Sequence, residues 1–287
     1  MHFLITQVLN GLVSGMILFL TAAGLSLIFG LMNVVNVAHG SFFMLGAFVG
    51  LSVQQFTGSF WAALLLAPLP ALLLGAVMER VFIRPLYRRG HLDQVLLTFG
   101  FTFVFVDAVR WLWGSGINSV SVPPVLDGIV RLGGIVVPKY RLFLIFVGLL
   151  LALVLWLVIE RTRLGAMVRA SVDDAPTAEG MGINVPLLQS SVFAAGVGIA
   201  ALGGAVAAPI IGVYTGMDIE ILIPAFIVVV IGGMGSLSGA FFGSVFVGLA
   251  DTLGRSYLPG LSLFLVYVVM IVVLLTRPAG LFVARRS

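Results

Sequence analysis

Few residues of this chain have side chains that could act in catalysis or bind a metal, and these residues are far apart in the sequence. The three histidines, His2, His39 and His91, are isolated in the sequence, and the chain has no cysteine. Because no acidic, histidine or cysteine residues cluster at the spacing of a metal site or an activated nucleophile, the sequence indicates no hydrolytic, metal or thiol chemistry. The run GGMGSLSG at 232–239 lacks the lysine that a phosphate-binding loop requires. The sequence therefore predicts that the chain is not an enzyme and holds no cofactor of its own.

Polar and small residues interrupt two apolar stretches, and they could bind a ligand that carries both charges. A zwitterion inside a bilayer needs polar partners, and amides, hydroxyls and helix ends supply them without the cost of fixed charge. We predict that the two stretches approach each other and line a translocation path from either side. The alternative is that their small residues serve helix packing alone. The residues are Asn33, Asn36, His39 and Ser41 in the first stretch, and Gly232, Gly233, Gly235, Ser236 and Ser238 in the second.

The first interruption, within residues 31–50, has two interpretations. Backbone can leave helical geometry at membrane depth only where protein or a water-filled cavity covers it, which permits a broken or re-entrant helix near 31–45. Otherwise the asparagines cap two ordinary spans at a tight turn. The sequence GAFFG at 239–243 weakly matches GSFFM at 40–44. Corresponding interruptions near 31–45 and 231–243 would indicate a binding site at the membrane midplane.

The composition specifies the environment of these residues. Hydrophobic residues make up 61% of the 287 and charged residues only 9%, with a mean hydropathy of +1.21. Soluble domains carry about 25% charged residues, so the soluble classes are excluded. The 35 glycines fit closely packed spans, and the net charge of +4 is scattered over short connectors rather than gathered as a nucleic-acid footprint. The sequence predicts an all-α, polytopic transmembrane helical bundle.

Basic residues in the connectors predict how this bundle is oriented. Arginines in short loops are retained in the cytoplasm, so the loops that carry them should face it, together with the C-terminus. Counting passes between these loops gives about eight or nine spans and an external N-terminus. A re-entrant segment at either interruption would change the parity and move the N-terminus. The arginines are Arg80, Arg84, Arg88 and Arg89, then Arg161, Arg163 and Arg169, and Arg285 and Arg286 in the tail.

The connectors on the other side are predicted to face outward. Residues 114–138 favour β-structure but are broken by Pro123, Pro124 and several glycines, so they are too interrupted to span. Asp218 and Glu220 are assigned to the next outer connector.

Residues 160–186, ERTRLGAMVRASVDDAPTAEGMGINVP, form the longest polar interval of the chain. Helix-forming residues between 164 and 181 predict one or two short helices. Gly180 and Gly182 would end them, and Pro186 would open the next span. A short helical element at a cytoplasmic surface, with nothing of its own to pack against, needs a partner.

Three segments together resemble a known family. They are GLSLIFGLMNVVNVAHGSFFMLGAF, RASVDDAPTAEGMGINV and IIGVYTGMDIEILIPAFIVVVIGGMGSLSGAFFGSVFVG. In this order and spacing they look like the permease subunits of branched-chain amino acid ABC importers, and more narrowly like the shorter of the two permeases that such systems usually contain. The resemblance covers nearly the whole chain. It implies a single transmembrane permease domain over residues 1–287, with a cytoplasmic coupling loop at 160–186, in the inner membrane.

The resemblance also implies partners. A second, similar permease, two cytoplasmic ATPase subunits that use the ATP, and an external substrate-binding protein would complete the importer, with no nucleic acid involved. The substrate would be a branched-chain or related amino acid, while urea and short amides stay open.

In the family a coupling helix from this loop docks into a groove on the ATPase. Pro176 and Thr177 depart from the family's pattern here, and we expect the helix to begin near Pro176, because proline is tolerated in a first turn. The matching positions are Asp173, Asp174, Ala175, Glu179, Gly180, Met181 and Gly182.

Two other classes of protein remain as alternatives. An ion-coupled secondary carrier would need an ion site built from the interrupted helices. A membrane-embedded enzyme, such as a lipid transferase, would need clustered acids or histidines at one interface.

Overall fold

The computed structural model describes residues 2–87, 89–132 and 135–282, and most of them are helical. A short antiparallel hairpin, in which Val130 pairs with Val137, lies in the segment predicted to be too interrupted to span. The all-α prediction is confirmed. The elements are α1 (His2–Met32), α2 (His39–Thr57), α3 (Phe60–Leu66), α4 (Pro68–Met78), α5 (His91–Trp113), β1 (Ile129–Leu132), β2 (Ile135–Pro138), α6 (Lys139–Arg161), α7 (Arg163–Asp173), α8 (Ala175–Gly180), α9 (Val185–Ile211), α10 (Met217–Gly232), α11 (Leu237–Tyr257) and α12 (Ser262–Thr276).

Six helical segments of the described chain are long and apolar enough to cross a membrane. They are α1, the continuous run Phe60–Leu86, α5, α6, α9 and α11. The shorter or less apolar α2, α10 and α12 complete the alternation between the two ends of the bundle, so the described residues make nine passes. This is roughly consistent with the eight or nine spans predicted. The chain is a multi-pass membrane protein.

Side-chain and backbone contacts show which segments share an end of the bundle. At one end, Asn33 after α1 lies 3.5 Å from His91 at the start of α5, and the amide of Leu281 donates to the carbonyl of Ile231 at 2.9 Å. We call this the basic end, because Arg80, Arg84 and Arg89 lie there. At the other, the hairpin end, Gln54 in the last turns of α2 donates to the Ser121 carbonyl at 2.9 Å.

Helix α1 is the centre of the bundle, and 78% of the residues in its apolar 18-residue stretch are buried. Its glycines let neighbouring backbones approach closely. A Cβ on Gly24 would overlap the carbonyl oxygen of Gly196 in α9, and a Cβ on Gly15 would lie 2.9 Å from the Ser244 carbonyl oxygen in α11. Small residues at such contacts permit the close packing that stabilises helix pairs in lipid.

Helix α2 begins inside the bundle rather than at its surface. The His39 ring, in the first turn of α2, lies 3.0 Å from the Thr21 carbonyl, about 16 Å from the basic end of α1 at 1.5 Å per residue. Residues 33–36 reach this depth without helical structure. Thr98 of α5 accepts from the amide of Val37 at 3.1 Å, so protein covers the irregular backbone. The first interruption is therefore a broken helix with re-entrant backbone rather than a tight turn.

Helix α10 also begins inside the bundle, which the sequence did not indicate. Its N-cap, Gly216, has a φ of +112°, a conformation that favours glycine. The next turn places Asp218 against α2, where a Cβ on Gly40 would overlap the Asp218 carbonyl oxygen. By contrast, the second predicted interruption is a tight turn, residues 233–236, between the antiparallel α10 and α11.

Candidate functional site

Helices α7 and α8 together form a short helical unit at the basic end, and we call residues 163–180 the coupling element. Thr162 caps α7 by accepting from the Gly165 amide at 3.3 Å. Asp174 caps α8 by accepting from the amide and hydroxyl of Thr177, at 3.1 and 2.5 Å. Helix α8 begins at Ala175 with Pro176 in its first turn. Local capping therefore produces the helix start predicted from the sequence.

The cap on α8 persists across physiological pH. The side-chain and backbone hydrogen bonds from Thr177 hold the pKa of the Asp174 carboxyl below its ordinary value. A carboxyl whose pKa is lowered in the folded state contributes stability above the unfolded pKa and loses it as the pH falls through the lowered one. Because both values lie in the acid range, Asp174 is ionised and caps α8 near neutral pH.

Most of the predicted coupling residues lie on the surface of the coupling element and the turn that follows it. Ala175 is half-buried, while Met181 is 68% exposed. A Cβ on Gly180 would meet no atom within 4 Å. The exposed members are Asp173, Asp174, Glu179, Gly180, Met181 and Gly182.

Residues of α7 line a cavity of about 610 Å³, the basic-end cavity. Val168, Arg169, Val172 and Asp173 of α7 form one wall. Gly235, Ser236 and Ser238, at the start of α11, belong to another wall, with α1 and α6 completing the space. Of the predicted coupling residues, Asp173 lines this cavity, together with Gly235, Ser236 and Ser238 of the predicted path residues.

The first set of predicted path residues is placed differently. Asn36, His39 and Ser41 are fully buried in protein, whereas Asn33 is exposed at the basic end with a φ of 51°. Both polar atoms of the Asn36 amide, and Nδ1 of His39, have no hydrogen-bond partner among the described residues. Buried polar atoms of this kind mark a position where a ligand or water can bind.

Helix α1 lies between the turn of the second set and the buried residues of the first set, Asn36, His39 and Ser41, which pack on a different side of it. His39 and the start of α2 pack at Thr21 and Gly24 of α1. The turn after α10 packs elsewhere on α1, where Ser26 donates to the Ser236 carbonyl at 3.2 Å. Gly24 and Ser26 are about 200° apart around a helix of 3.6 residues per turn, and therefore point to different sides. Of the glycines in the second set, Gly232 is in close contact with Gly239 across the turn, and Gly233 with Gly280.

Asp218 is a residue that sequence reasoning misplaced. It is 1% exposed and lies in the first turn of α10, not on an outer connector, and the Ser41 hydroxyl donates to its carboxylate at 3.4 Å. The N-termini of α2 and α10 meet at this point, and positive helix ends stabilise a carboxylate that would otherwise be costly to bury. The signal available in the sequence was the pair of glycines, Gly212 and Gly216, that precede it.

A second missed feature is a buried charge network at the basic end, which we call the Glu79 network. The Glu79 carboxylate has no exposed surface and pairs with Arg84 at 3.0 Å. Tyr87 donates to it at 2.7 Å, and Ser190 of α9 also donates to it. Arg84 donates in turn to the Pro186 carbonyl at 2.7 Å. The network ties the end of α4 to the first turns of α9, directly after the coupling element.

Comparison with known proteins places this arrangement in a family. Residues 7–274 match the profile of the branched-chain amino acid transport system permease component. The chain belongs to this family. Its relatives include the high-affinity branched-chain amino acid transport system permease protein BraD of Pseudomonas aeruginosa, which is 29% identical over 98% of this chain and 95% of BraD. LivH of Salmonella typhimurium is 26% identical, with 97% and 95% of the two chains covered.

Two further comparisons cover most of the chain. The probable branched-chain amino acid transport permease protein LivH of Methanocaldococcus jannaschii is 26% identical over 92% of this permease and 88% of the relative. Among solved structures, PsaBC from Streptococcus pneumoniae in complex with Fab superposes with a TM-score of 0.50. Its chain is 13% identical, and 92% of this permease and 90% of that chain are covered, so the likeness is one of fold.

Proposed function

We propose that this permease moves branched-chain or related amino acids into the cytoplasm as the membrane subunit of an ATP-driven importer. Family membership gives the class of protein, and one structural observation carries the mechanism. The exposed side of the coupling element, at α8 and the turn after it, is joined through Asp173 to the residues of α7 that line the basic-end cavity. A partner that pushes or pulls on the exposed side would therefore change the shape of the cavity.

The partner on the exposed side is proposed to be an ATPase subunit. Asp173, Asp174 and Glu179 offer carboxylates to basic or amide groups, and Met181 offers an apolar anchor of the flexible kind used at adaptable surfaces. The permease itself then performs no chemistry, and the ATP is bound and hydrolysed by the partner.

The remaining partners are those that the resemblance to the family implies. An external binding protein would deliver the substrate to the hairpin end, and a second, similar permease would enclose the path together with this one. The proposed path residues keep their two groups. Gly235, Ser236 and Ser238 line the basic-end cavity, whereas Gly232 and Gly233 are buried in the turn beside them. Asn36, His39 and Ser41 form the separate polar region beside α1, and Asn33 lies exposed at the basic end.

Reconstitution tests the proposed function. The permease is purified with the proteins that accompany it, inserted into proteoliposomes and supplied with an external binding protein. We expect uptake of radiolabelled leucine, isoleucine or valine that requires ATP on the ATPase side and stops when the ATPase subunits are removed. Uptake by the isolated permease, driven by an ion gradient alone, would show instead that it is a secondary carrier.

The orientation of the permease is a prediction of its own. The basic end should face the cytoplasm, because its connectors carry the arginines of segments 79–89 and 161–169. A reporter that is active only in the cytoplasm, fused after Arg89 or at Ser287, should therefore be active. The tail residues Arg285 and Arg286, like Arg88, lie outside the described residues. If a reporter that is active only outside the cell is active at both positions, the permease has the opposite orientation.

Single cysteines can test the proposed path in this cysteine-free chain. Ser238 is exposed at the basic-end cavity and Asn36 is fully buried. We expect Ser238→Cys to react with a small water-soluble thiol reagent, and Asn36→Cys to react only in a nucleotide state that opens the region beside α1. If neither variant reacts in any state while both still transport, the path lies elsewhere.

A further inference from the structure

A second cavity, of about 530 Å³, lies toward the hairpin end, and the function proposed above does not use it. Helices α1, α10, α11 and α12 surround this hairpin-end cavity, together with the connector before α10. Its floor is aliphatic and buried. The floor residues with less than a tenth of their surface exposed are Ile17, Leu18, Met217, Ile227, Val247 and Val266.

The rim of the hairpin-end cavity carries both signs of charge on two different helices. On α11, the Arg255 Nε lies 3.0 Å from the Asp251 carboxylate, one turn earlier. On α10, the Glu220 carboxylate accepts from the Tyr214 hydroxyl at 2.5 Å. Among the described residues, Arg255 is engaged through Nε alone, which leaves the two terminal amino groups of its guanidinium available.

We propose that the hairpin-end cavity is a binding subsite for an aliphatic α-amino acid in its zwitterionic form. The inference rests on the proposed function and names the place where the substrate is recognised. The substrate carboxylate binds the Arg255 guanidinium, which matches the geometry of a carboxylate with two parallel hydrogen bonds. The ammonium group binds Glu220, and the aliphatic side chain packs on the floor formed around Ile17 and Val247.

The combination of groups decides the chemical class of the ligand. A purely aliphatic cavity would take a hydrophobic molecule, and a site with one sign of charge would take an ion. Here a cation and a carboxylate on α11 and α10 stand over a floor of branched side chains, and each charge of a zwitterion finds an opposite partner. Each analogue that lacks one charged group loses one of these contacts, so it should bind more weakly.

Charge substitutions distinguish a binding role from an ordinary helix ion pair. Arg255→Gln should raise the KM for leucine and lower kcat/KM about 10- to 100-fold, the loss of one hydrogen-bonded charge contact. The double variant Asp251→Arg/Arg255→Asp restores an ion pair one turn apart but exchanges the positions of the charges. We expect it to stay as impaired as Arg255→Gln. Recovery of normal uptake would show that the pair only stabilises α11, and would overturn the proposal.

Protection from alkylation tests occupancy directly. Ser14 lines the cavity on α1, and Ser14→Cys should react with a small water-soluble thiol reagent in the outward-open complex. Leucine at about nine times its dissociation constant should slow the reaction about tenfold, since only the unoccupied fraction reacts. The matched control, Ser119→Cys on an exposed loop outside the cavity, should not be slowed.

A second cysteine variant and uptake by the wild-type complex distinguish failure of the subsite from failure of the proposed function. Ile223→Cys, at an exposed cavity position on α10, serves if Ser14→Cys does not react. Lack of protection at both positions, or lack of reaction at both, overturns the subsite. If the wild-type complex still imports leucine in an ATP-dependent way, the proposed function stands without the subsite. If the wild-type complex imports no branched-chain amino acid at all, the proposed function itself fails.

Discussion

Replacing Gly180 with tryptophan is expected to abolish ATP-driven uptake while the permease still inserts and folds. Gly180 ends α8, and a Cβ there would meet no atom within 4 Å, so the ring has room within this chain. The same space is where an ATPase subunit is proposed to dock. Uptake by proteoliposomes and retention of the ATPase on the purified permease should both be lost, and the thermal unfolding of the isolated permease should not change.

Gly90→Trp is the matched control for this prediction. Gly90 also lies at the basic end, and a Cβ there would likewise meet no atom within 4 Å, but the residue precedes α5 and is outside the coupling element. Its variant should keep the ATPase and most of the uptake. Normal transport by Gly180→Trp would show that the coupling element is not part of the interface proposed for the ATPase.

Replacing Glu79 with alanine is expected to lower the free energy of unfolding by about 3–5 kcal/mol, because the change leaves the Arg84 charge partly buried without its partner. Ser190 and Tyr87 lose an acceptor at the same time. Because the network holds the first turns of α9 beside α4, the variant should also weaken the coupling of ATP hydrolysis to uptake. Thermal unfolding in detergent measures the first effect, and the ratio of ATP hydrolysed to leucine imported measures the second.

The double variant Glu79→Met/Arg84→Met separates the buried charge from the packing. Removing both charged groups together avoids the unpaired charge, so the double variant should be markedly more stable than Glu79→Ala. Tyr87→Phe removes one hydrogen bond and should cost only about 1 kcal/mol. If Glu79→Ala were as stable as the unaltered permease, the carboxylate would not contribute to holding α4 and α9 together.

The features that were predictable from the sequence are those determined by neighbouring residues. Apolar length defines the long spans, and the run from Asp174 to Gly182 contains its own cap, first-turn proline and final glycines. Arginine placement also predicts which connectors lie together, and contacts such as Asn33 to His91 agree with that grouping. Each of these signals comes from neighbouring residues, so it can be interpreted without knowledge of the tertiary structure.

Features that depend on contacts distant in sequence were not predictable. Ser41 and Asp218 are 177 residues apart, and Ser190 and Glu79 are 111 apart. Charge is expensive in a bilayer, so sequence reasoning places Asp218 outside it, whereas the structure offsets the cost with two helix N-termini. Likewise, the side of α1 that each interrupted segment contacts depends on the packing of the whole bundle, and glycine content alone does not specify it.

Helix α1 leaves the ribosome first, yet the helices that cover it begin only at Val185 and Leu237. At about 5–20 residues per second, the interval between the end of α1 at Met32 and the start of α11 is about 10–40 s of translation. During that time the glycine-lined faces of α1 and the hydroxyl of Ser26 have lipid or an insertion factor as neighbours instead of α11. Assembly of the core is therefore a late event, completed by the last third of the chain, and nascent chains that stop before α11 should be exposed to quality-control proteolysis.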